Sequence, residues 1–414
     1  MVVVGGGPAG AAAAITLARA GRHVVLVDKA RFPRDKFCGD GLTTGALRLL
    51  EQLGLTPAAV TSWRELSEVV VRSPSGRSAT FSFPVGQGSF AAVARRADLD
   101  AALVDVAREA GVEVHEGVGV TGAEERPDRV VVTVGVSETI HARYAVGADG
   151  MWSPLRKLLG MATDGYRGES HAFRQYFTGV GPEAAKNLFL WFEDDLLPGY
   201  AWSFPLPDGR ANVGFGIHRN GRGRVGDMGR LWADLLARPH IRGVLGAEAA
   251  PEAPHRAWPI PSRLDQCGLA TVGGRVLFVG DAAAAADPLT GEGIGQALLT
   301  GVGAAAAIDA TGPFGAGDAA HRYRSFVLRE LSPDHRMSSL LLPLLRGRRR
   351  ARVAVRAAGA TPWTRRNFAR WLFEDYPRAV LVTPRRWRRG MLSGPGAYPI
   401  ATPPLVRSGE PRPA

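Results

Sequence analysis

The first thirty residues constrain the fold most, because they place a glycine-rich turn between a short apolar strand and an alanine-rich helix. The segment "VVVGGGPAGAAAAITLARAGRHVVLVDKA" (2–30) predicts a strand, a helix and a second strand, which form a βαβ unit. Gly5, Gly7 and Gly10 hold the G-x-G-x-x-G positions, which allow a tight turn, a close approach to a pyrophosphate and close helix–strand packing. Asp28 ends the second strand, where a carboxylate can accept hydrogen bonds from ribose hydroxyls. The unit therefore predicts a site for a dinucleotide, NAD(P) or FAD.

A second segment, "GGRVLFVGDAAAAADPLTGEGIGQALLTG" (273–301), favours FAD. It predicts an apolar strand, a loop and the glycine-rich start of another helix. It resembles the second flavin motif of the glutathione-reductase-like flavoproteins, whose aspartate contacts the ribityl or pyrophosphate segment and whose helix start lies beside the flavin pyrimidine. This resemblance assigns cofactor contacts to Gly280, Asp281, Pro288, Gly291, Gly293 and Ile294.

Two intermediate segments extend the same resemblance. The stretch 93–125 predicts an amphipathic helix and a strand; Arg96 matches the flavin-contacting arginine of these proteins, and Val120 falls where a strand passes the adenine. The stretch 142–156, "ARYAVGADGMWSPLR", matches their strand-Gly-Ala-Asp-Gly motif and adds Asp149. Neighbours of the first motif complete the predicted cofactor site: Pro8, Ala9 and Lys29.

Three motifs resemble the geranylgeranyl reductase family. Cys38-Gly39-Asp40-Gly41 matches the turn that lies beside the flavin in that family. The segment "YAWSFP" (200–205) matches the family's Tyr-x-Trp-x-Phe-Pro strand, and "PLTGEGI" (288–294) matches its second flavin motif. The resemblance covers about residues 1–310. It implies a bound FAD that, once reduced, gives a hydride to one carbon of a C=C bond in a polyprenyl chain, while a proton reaches the other carbon.

The aromatic strand and Cys38 are the candidate substrate and catalytic positions. Alternation at period two places Tyr200, Trp202 and Phe204 on one face of the strand, which is ordinary core in many proteins. The family resemblance instead implies the wall of a polyprenyl tunnel, with Pro205 as a further substrate contact. Cys38 is a candidate participant in catalysis, with a small buried hydrophobe as the alternative. No residue stands out as the proton donor.

Other functions remain open at this point. A flavin-dependent monooxygenase acting on an aromatic, polyketide or terpenoid substrate stays open, because its chemistry requires few dedicated side chains. A halogenase is disfavoured because no lysine lies between Lys36 and Lys157. A prenyl-binding escort protein without redox chemistry is disfavoured by the intact flavin motifs. No second dinucleotide motif is evident, so the external reductant is expected to be a transiently bound NADPH or a ferredoxin.

Charge and cysteine content bear on partners and location. The net charge is +12, but no nucleic-acid-binding motif accompanies the arginine-rich runs, so nucleic acid is not expected as a partner. Two cysteines form no disulfide framework, which favours the cytoplasm. The apolar run 338–345 adjoins the basic run 346–359, a pattern that predicts either peripheral contact with the inner face of the membrane or ordinary packing of a C-terminal helix.

The predicted fold is α/β, with a Rossmann-type FAD-binding domain, an antiparallel β-sheet substrate domain and a helical C-terminal region. We expect the FAD-binding domain to be discontinuous, from 1–62, 93–153 and 265–310. The substrate domain is expected from 63–92 and 154–264, the helical region from 311–395, and a disordered tail from the Pro- and Gly-rich 396–414.

Overall fold

The computed structural model describes residues 1–221 and 223–399. Its strands, in chain order, are β1 (Val2–Val4), β2 (Val25–Asp28), β3 (Gly41–Thr43), β4 (Arg64–Glu65), β5 (Glu68–Arg72), β6 (Ser78–Ser82), β7 (Ala91–Val93), β8 (Glu113–Glu116), β9 (Val120–Glu125), β10 (Val130–Val134), β11 (Glu138–Ala142), β12 (Ala145–Gly147), β13 (Ser170–Thr178), β14 (Leu188–Trp191), β15 (Tyr200–Leu206), β16 (Arg210–His218), β17 (Ala250–Pro251), β18 (Arg256–Ile260) and β19 (Val276–Phe278). Its α-helices are α1 (Pro8–Arg19), α2 (Thr44–Gln52), α3 (Arg96–Glu109), α4 (Pro154–Leu158), α5 (Pro182–Lys186), α6 (Met228–Ala237), α7 (Pro239–Leu245), α8 (Ile294–Thr311), α9 (Ala316–Glu330), α10 (Ser332–Leu345), α11 (Arg348–Ala358) and α12 (Pro362–Leu372).

A parallel five-stranded sheet combines strands from residues 2 to 278, in the order β19-β12-β1-β2-β8. Strands β1, β2, β12 and β19 are buried along their whole length, as expected for a parallel sheet covered on both faces. Helix α1 packs against α8 through small residues: a Cβ added at Gly301 would lie 2.2 Å from the Ala9 carbonyl oxygen. The alanine-rich sequence of α1 is therefore what lets the two helices approach this closely.

A larger, mostly antiparallel sheet faces the first one. Its order is β17-β13-β16-β15-β14-β5-β6, with β18 pairing with β13, and only the β14–β5 pairing is parallel. Alternation along the strands divides its residues between two faces. Phe173 and Phe215 pack under Trp232 of α6, whereas Trp202 faces the opposite side. Two small sheets, β11-β10-β9 and β3-β7-β4, complete the strand content.

The C-terminal region is helical, and α12 reaches the edge of the large sheet. The Phe368 ring of α12 lies 4.9 Å from that of Phe81 on β6, centroid to centroid. The predicted fold class is thereby confirmed, with its parallel sheet, antiparallel sheets and C-terminal helices. The exact domain boundaries stay a prediction.

Two residues of the predicted disordered tail make defined contacts. Ala397 pairs with Ser89, and the Tyr398 hydroxyl donates a hydrogen bond to the Leu55 carbonyl at 3.0 Å. Residues 400–414, the rest of the predicted tail, lie outside the described residues. Within the described part of the chain, α8 alone has the length and apolar composition of a membrane span, but 67% of it is buried, as in a core helix.

Candidate active site

One cavity of about 1150 Å³ lies between the parallel sheet and the large sheet. Sites for a compact ligand usually enclose about 300–1,000 Å³. The wall of this cavity runs from the glycine turn after β1, past the aromatic strand β15, to helices α10–α12. It therefore offers room for a cofactor and for a further apolar ligand.

The first motif forms one end of the cavity. Gly5 has φ +104°, and a Cβ there would lie 2.4 Å from the Ala148 carbonyl oxygen, so the turn admits only glycine. Gly7 precedes α1, and no side chain caps the helix, which leaves backbone N–H groups for an anion. The Asp28 carboxylate accepts hydrogen bonds from the Gly6 N–H at 2.6 Å and from the Ala30 N–H at 2.8 Å. These bonds fix it at the cavity wall.

The second motif forms the adjoining wall. Gly293 precedes α8 and, as a glycine, supplies no side-chain cap, although the Gly295 N–H in the first turn donates to Glu292. Asp281 lies in the wall, 3.8 Å from the Lys36 ammonium, and this ammonium stands 5.1 Å from the Trp258 ring centroid. Lys36 is therefore held against the second motif, a contact that was not predicted from the sequence.

Arg96 is buried rather than solvated. Its Nε and Nη2 donate to the two oxygens of Asp100 at 2.8 and 2.7 Å, and Arg34 pairs with the same carboxylate at 2.8 Å. Asp149 lines the cavity, but its carboxylate accepts hydrogen bonds from Ser153 Oγ and the Leu155 N–H, which organise the start of α4.

Most of the predicted site residues share this one wall. The predicted cofactor residues found there are Gly5, Gly7, Pro8, Ala9, Asp28, Lys29, Cys38, Gly39, Asp40, Gly41, Arg96, Val120, Asp149, Gly280, Asp281, Pro288, Gly291, Gly293 and Ile294, and the predicted substrate residues are Tyr200, Trp202 and Phe204. Two predicted contacts are absent from the wall. Gly10 instead packs α1 on its turn, since a Cβ there would lie 1.8 Å from the Gly5 oxygen. Pro205 lies next to Phe204 in β15 and is buried facing away from the cavity, as alternation requires.

A buried network joins the Cys38–Gly41 turn to the aromatic strand. Asp40, with φ +67°, accepts hydrogen bonds from the Tyr176 hydroxyl at 2.7 Å and the Asn212 amide at 2.8 Å. Asn212 also donates to the Cys38 carbonyl at 2.9 Å and accepts from the Trp202 indole N–H at 3.1 Å. Burial raises the pKa of Asp40 to about 6, although the Tyr176 and Asn212 hydrogen bonds favour its charged form. Asp40 therefore positions both the turn and the wall.

The Cys38 thiol is neutral at physiological pH. Burial raises its pKa to about 11, and Arg96 opposes this shift only in part. A nucleophilic role requires the thiolate. Cys38 therefore lines the cofactor region as a neutral thiol.

Replacing Asp40 by asparagine is expected to remove a pH dependence of stability. A carboxyl whose pKa rises on folding stabilises the protein below its unfolded pKa, and this contribution is lost as pH rises through the folded pKa. Between about pH 4 and 6, the free energy of unfolding of the wild type should fall by about 2–3 kcal/mol relative to Asp40→Asn. Urea titrations at several pH values measure this difference, with the exposed Asp164→Asn as the control. Parallel pH profiles for all three proteins would contradict the role of Asp40.

The far end of the cavity consists of residues that the sequence left unassigned. Helices α10–α12 and the residue after α12 contribute an apolar wall: Leu341, Leu342, Leu345, Ala351, Ala354, Val355, Phe368, Trp371, Leu372 and Phe373. Their helical periodicity indicates an apolar face, but periodicity does not identify what that face packs against.

The residues present fit FAD. Two helix starts with glycine N-caps, a glycine turn that no side chain can enter, and the Asp28 and Asp281 carboxylates meet in one cavity. These groups match a pyrophosphate, a ribose and the electron-rich pyrimidine of a reduced flavin.

Comparisons with known proteins agree with this geometry. A family model described as an FAD binding domain matches residues 1–191. The menaquinone reductase of Mycobacterium tuberculosis is 35% identical over 330 residues, which cover 75% of this chain and 76% of the relative. Digeranylgeranylglycerophospholipid reductase 2 of Methanopyrus kandleri is 32% identical, over 73% of this chain and 74% of the relative.

A solved structure shows the same fold over nearly the whole chain. The geranylgeranyl bacteriochlorophyll reductase-like protein of Thermoplasma acidophilum is 20% identical, with a TM-score of 0.77, and the match covers 93% of this chain and 98% of that one. The sequence relatives extend this likeness from fold to family. The chain belongs to the geranylgeranyl reductase family of FAD-dependent oxidoreductases.

Proposed function

We propose that this protein uses FAD to reduce a C=C bond in the polyprenyl chain of a membrane quinone such as menaquinone. The observation that carries the proposal is the continuity of the cavity from the cofactor motifs, past Tyr200, Trp202 and Phe204, to the apolar helices α10–α12. A hydrocarbon chain offers no charge for recognition, so its binding depends on buried apolar area, at about 0.8 kcal/mol per CH₂. The reductases among the relatives support the same substrate class.

The protein's part in the reaction is to bind, orient and exclude water. Reduced FAD supplies a hydride when it is bound. The aromatic face of β15 packs directly on the Cys38–Gly41 turn: a Cβ added at Gly41 would lie 2.9 Å from the Phe204 ring. The Tyr200 hydroxyl donates a hydrogen bond to the Thr290 carbonyl oxygen at 2.5 Å, which connects the aromatic strand to the second flavin motif. The wall and the cofactor loop are therefore held in one fixed arrangement.

Reoxidation of anaerobically reduced enzyme tests the proposal. Menaquinone presented in detergent should reoxidise the bound flavin without oxygen and gain two hydrogens in its side chain, as mass spectrometry would show. The analogue with a fully saturated side chain is the control, because its ring can accept electrons but its chain cannot be reduced. Equal products and rates from both compounds would refute chain reduction.

A monooxygenase remains the second candidate from the sequence, and the relatives give it less support because they are reductases. Oxygen dependence distinguishes the two functions. Incorporation of an oxygen atom into the product would identify a monooxygenase.

We propose that an external donor, NADPH or a ferredoxin, reduces the flavin, since the chain shows no second dinucleotide motif. Stopped-flow reduction with each donor compares them directly. The donor that reduces the flavin faster than the enzyme turns over is the competent one.

We further propose that the protein is cytoplasmic and meets the inner face of the membrane through α10–α12. Residues 338–373 contain nine arginines and no aspartate or glutamate. Leu340, Leu344, Val353 and Trp363 are 49–70% exposed on these helices, while other residues of the same helices line the cavity. An apolar and arginine-rich surface suits an anionic bilayer, and its position would let a lipid chain enter the cavity directly.

Neutralising Arg348 and Arg349 is expected to weaken binding to anionic vesicles about thirtyfold, at roughly a fivefold loss for each exposed arginine. Arg350 is retained because it donates to the Pro343 carbonyl and so holds the α10–α11 junction. Co-sedimentation with phosphatidylglycerol vesicles measures the change, with Arg322→Gln/Arg324→Gln on α9 as the matched control. Equal losses in both double variants would show a general charge effect and would contradict a specific surface.

A further inference from the structure

A cluster of buried ionisable groups adjoins the cavity where the second flavin motif meets the segment after α12. Three carboxyl groups, those of Asp287, Glu292 and Glu374, surround the single guanidinium of Arg378. Glu292 lines the cavity itself. This group is here called the carboxyl cluster. The reaction proposed above does not account for it.

The hydrogen bonds show how charge is divided within the carboxyl cluster. Asp287 accepts hydrogen bonds from the Leu289 N–H, the Thr290 N–H and hydroxyl, and the Ser338 hydroxyl, at 2.7–3.0 Å. These four donors stabilise its charged carboxylate form. Arg378 and these donors hold the pKa of Asp287 below its usual range, although burial opposes them.

Glu374 is the direct partner of the arginine. Its Oε1 accepts from Arg378 Nη2 at 3.1 Å and from the Gln296 amide at 3.0 Å. Burial raises the pKa of Glu374 as well, but the Arg378 guanidinium and its hydrogen bond oppose this shift. With Asp287 and Glu374 charged opposite one guanidinium, a third buried negative charge would lack compensation.

Glu292 is the carboxyl left without a cationic partner. Its Oε1 accepts only a backbone hydrogen bond, from the Gly295 N–H at 2.6 Å, among the described residues. Burial and the neighbouring Glu374 raise the pKa of Glu292. The ionisable groups that face it are Cys38, Tyr200, Asp287, Glu374 and Arg378, with Asp334 and His335 behind them. The Glu292 carboxyl therefore remains protonated at neutral pH.

We propose that Glu292 is the catalytic acid that protonates the substrate carbon during C=C reduction, an inference that rests on the proposed function. The hydride from reduced flavin forms a C–H bond at one alkene carbon, and the π electron pair of the alkene takes the Glu292 proton at the other. Glu292 is left as a carboxylate, and solvent returns its proton before the next turnover. The flavin leaves the step oxidised by two electrons and is reduced again by the external donor.

The surroundings of Glu292 suit both states of an acid. The neutral form suits the apolar cavity before proton transfer. After the transfer, the carboxylate faces the Gly295 N–H at the start of α8 and the Arg378 guanidinium, whose Nε and Nη1 are buried without a hydrogen-bond partner among the described residues. These donors can stabilise the anion without rearrangement of the backbone.

Single-turnover kinetics of Glu292→Gln test the proposal. The reduced variant, with its FAD content verified, should transfer hydride to menaquinone about a hundredfold more slowly than the wild type, the usual scale for loss of a general acid. The wild-type rate of hydride transfer should fall as pH rises through the pKa of Glu292, and the rate of the variant should not show this fall. Glu292→Asp retains an acid and should keep this fall at a reduced rate. The exposed Glu138→Gln is the matched control.

An infrared measurement provides a second readout that needs no substrate. A buried protonated carboxyl gives a C=O stretch above that of a carboxylate, and burial also raises the pKa of Asp40, Asp149 and Glu374. The wild-type spectrum at pH 7 should therefore contain, among such bands, one that Glu292→Gln loses and Glu138→Gln retains. A band unchanged in Glu292→Gln would overturn the proposal, as would an unchanged rate and pH profile. If wild-type enzyme fails to reduce the chain but the band assignment holds, the proposed function fails instead.

Discussion

Replacing Gly10 by alanine is expected to abolish FAD retention and to lower the free energy of unfolding by at least about 3 kcal/mol, the upper end of the usual cost of overpacking. The Cβ of alanine would lie 1.8 Å from the Gly5 carbonyl oxygen and 3.1 Å from the Ala148 Cβ. Because the obstructing atom belongs to the backbone of the same turn, relief requires α1 to move away from β1. That movement displaces the Gly5–Gly7 N–H groups from the cofactor cavity.

Gly317→Ala is the matched control for this change. Gly317 also lies in the first turn of a helix, α9, and a Cβ there meets no atom within 4 Å. Alanine at that position should stabilise the protein slightly, because it has the higher helix propensity. Flavin absorbance after purification and urea unfolding measure the two effects. Full flavin occupancy in Gly10→Ala would contradict the packing role of Gly10.

Local motifs made the cofactor half of the site predictable. A glycine turn, a helix start and a strand end are each defined by residues within one βαβ unit, so Gly5, Gly7 and Asp28 could be placed from spacing. The motif also predicted close helix–strand packing, and the 1.8 Å distance from a Cβ at Gly10 to the Gly5 oxygen agrees with that role rather than with a ligand contact.

Contacts between distant segments were not predictable in the same way. Leu345 and Phe368 line the same cavity as β15, which lies more than 130 residues earlier in the chain. The sequence of an apolar helix face does not indicate which element that face packs against. Glu292 was visible in the "PLTGEGI" motif, but its protonation follows from Glu374 and Arg378, which lie over eighty residues later.

Truncating Trp202 to alanine is expected to lower kcat/KM for a polyprenyl substrate several hundredfold. The indole lies between the cavity and Asn212, and its side chain is nearly inaccessible to solvent. Because so little of the indole is exposed, the expected loss comes from the void that truncation opens beside the bound polyprenyl chain, at a cost of roughly 3–5 kcal/mol for a Trp→Ala change. The effect should fall mainly on KM, since contacts along the wall are made equally before and during hydride transfer.

Two variants separate this role from a purely structural one. Trp202→Phe retains most of the apolar wall but removes the N–H that Asn212 accepts at 3.1 Å, so it perturbs the Asp40 network without opening the cavity. Trp363→Ala removes an indole that is 61% exposed on α12 and should leave KM for detergent-dispersed substrate unchanged. If the wall binds the chain, Trp202→Phe will stay within about tenfold of wild type, because only a hydrogen bond of roughly 1 kcal/mol is lost. If instead Trp202 acts only by holding the Cys38–Gly41 turn, Trp202→Phe and Trp202→Ala will fail equally, and the flavin environment will shift in both.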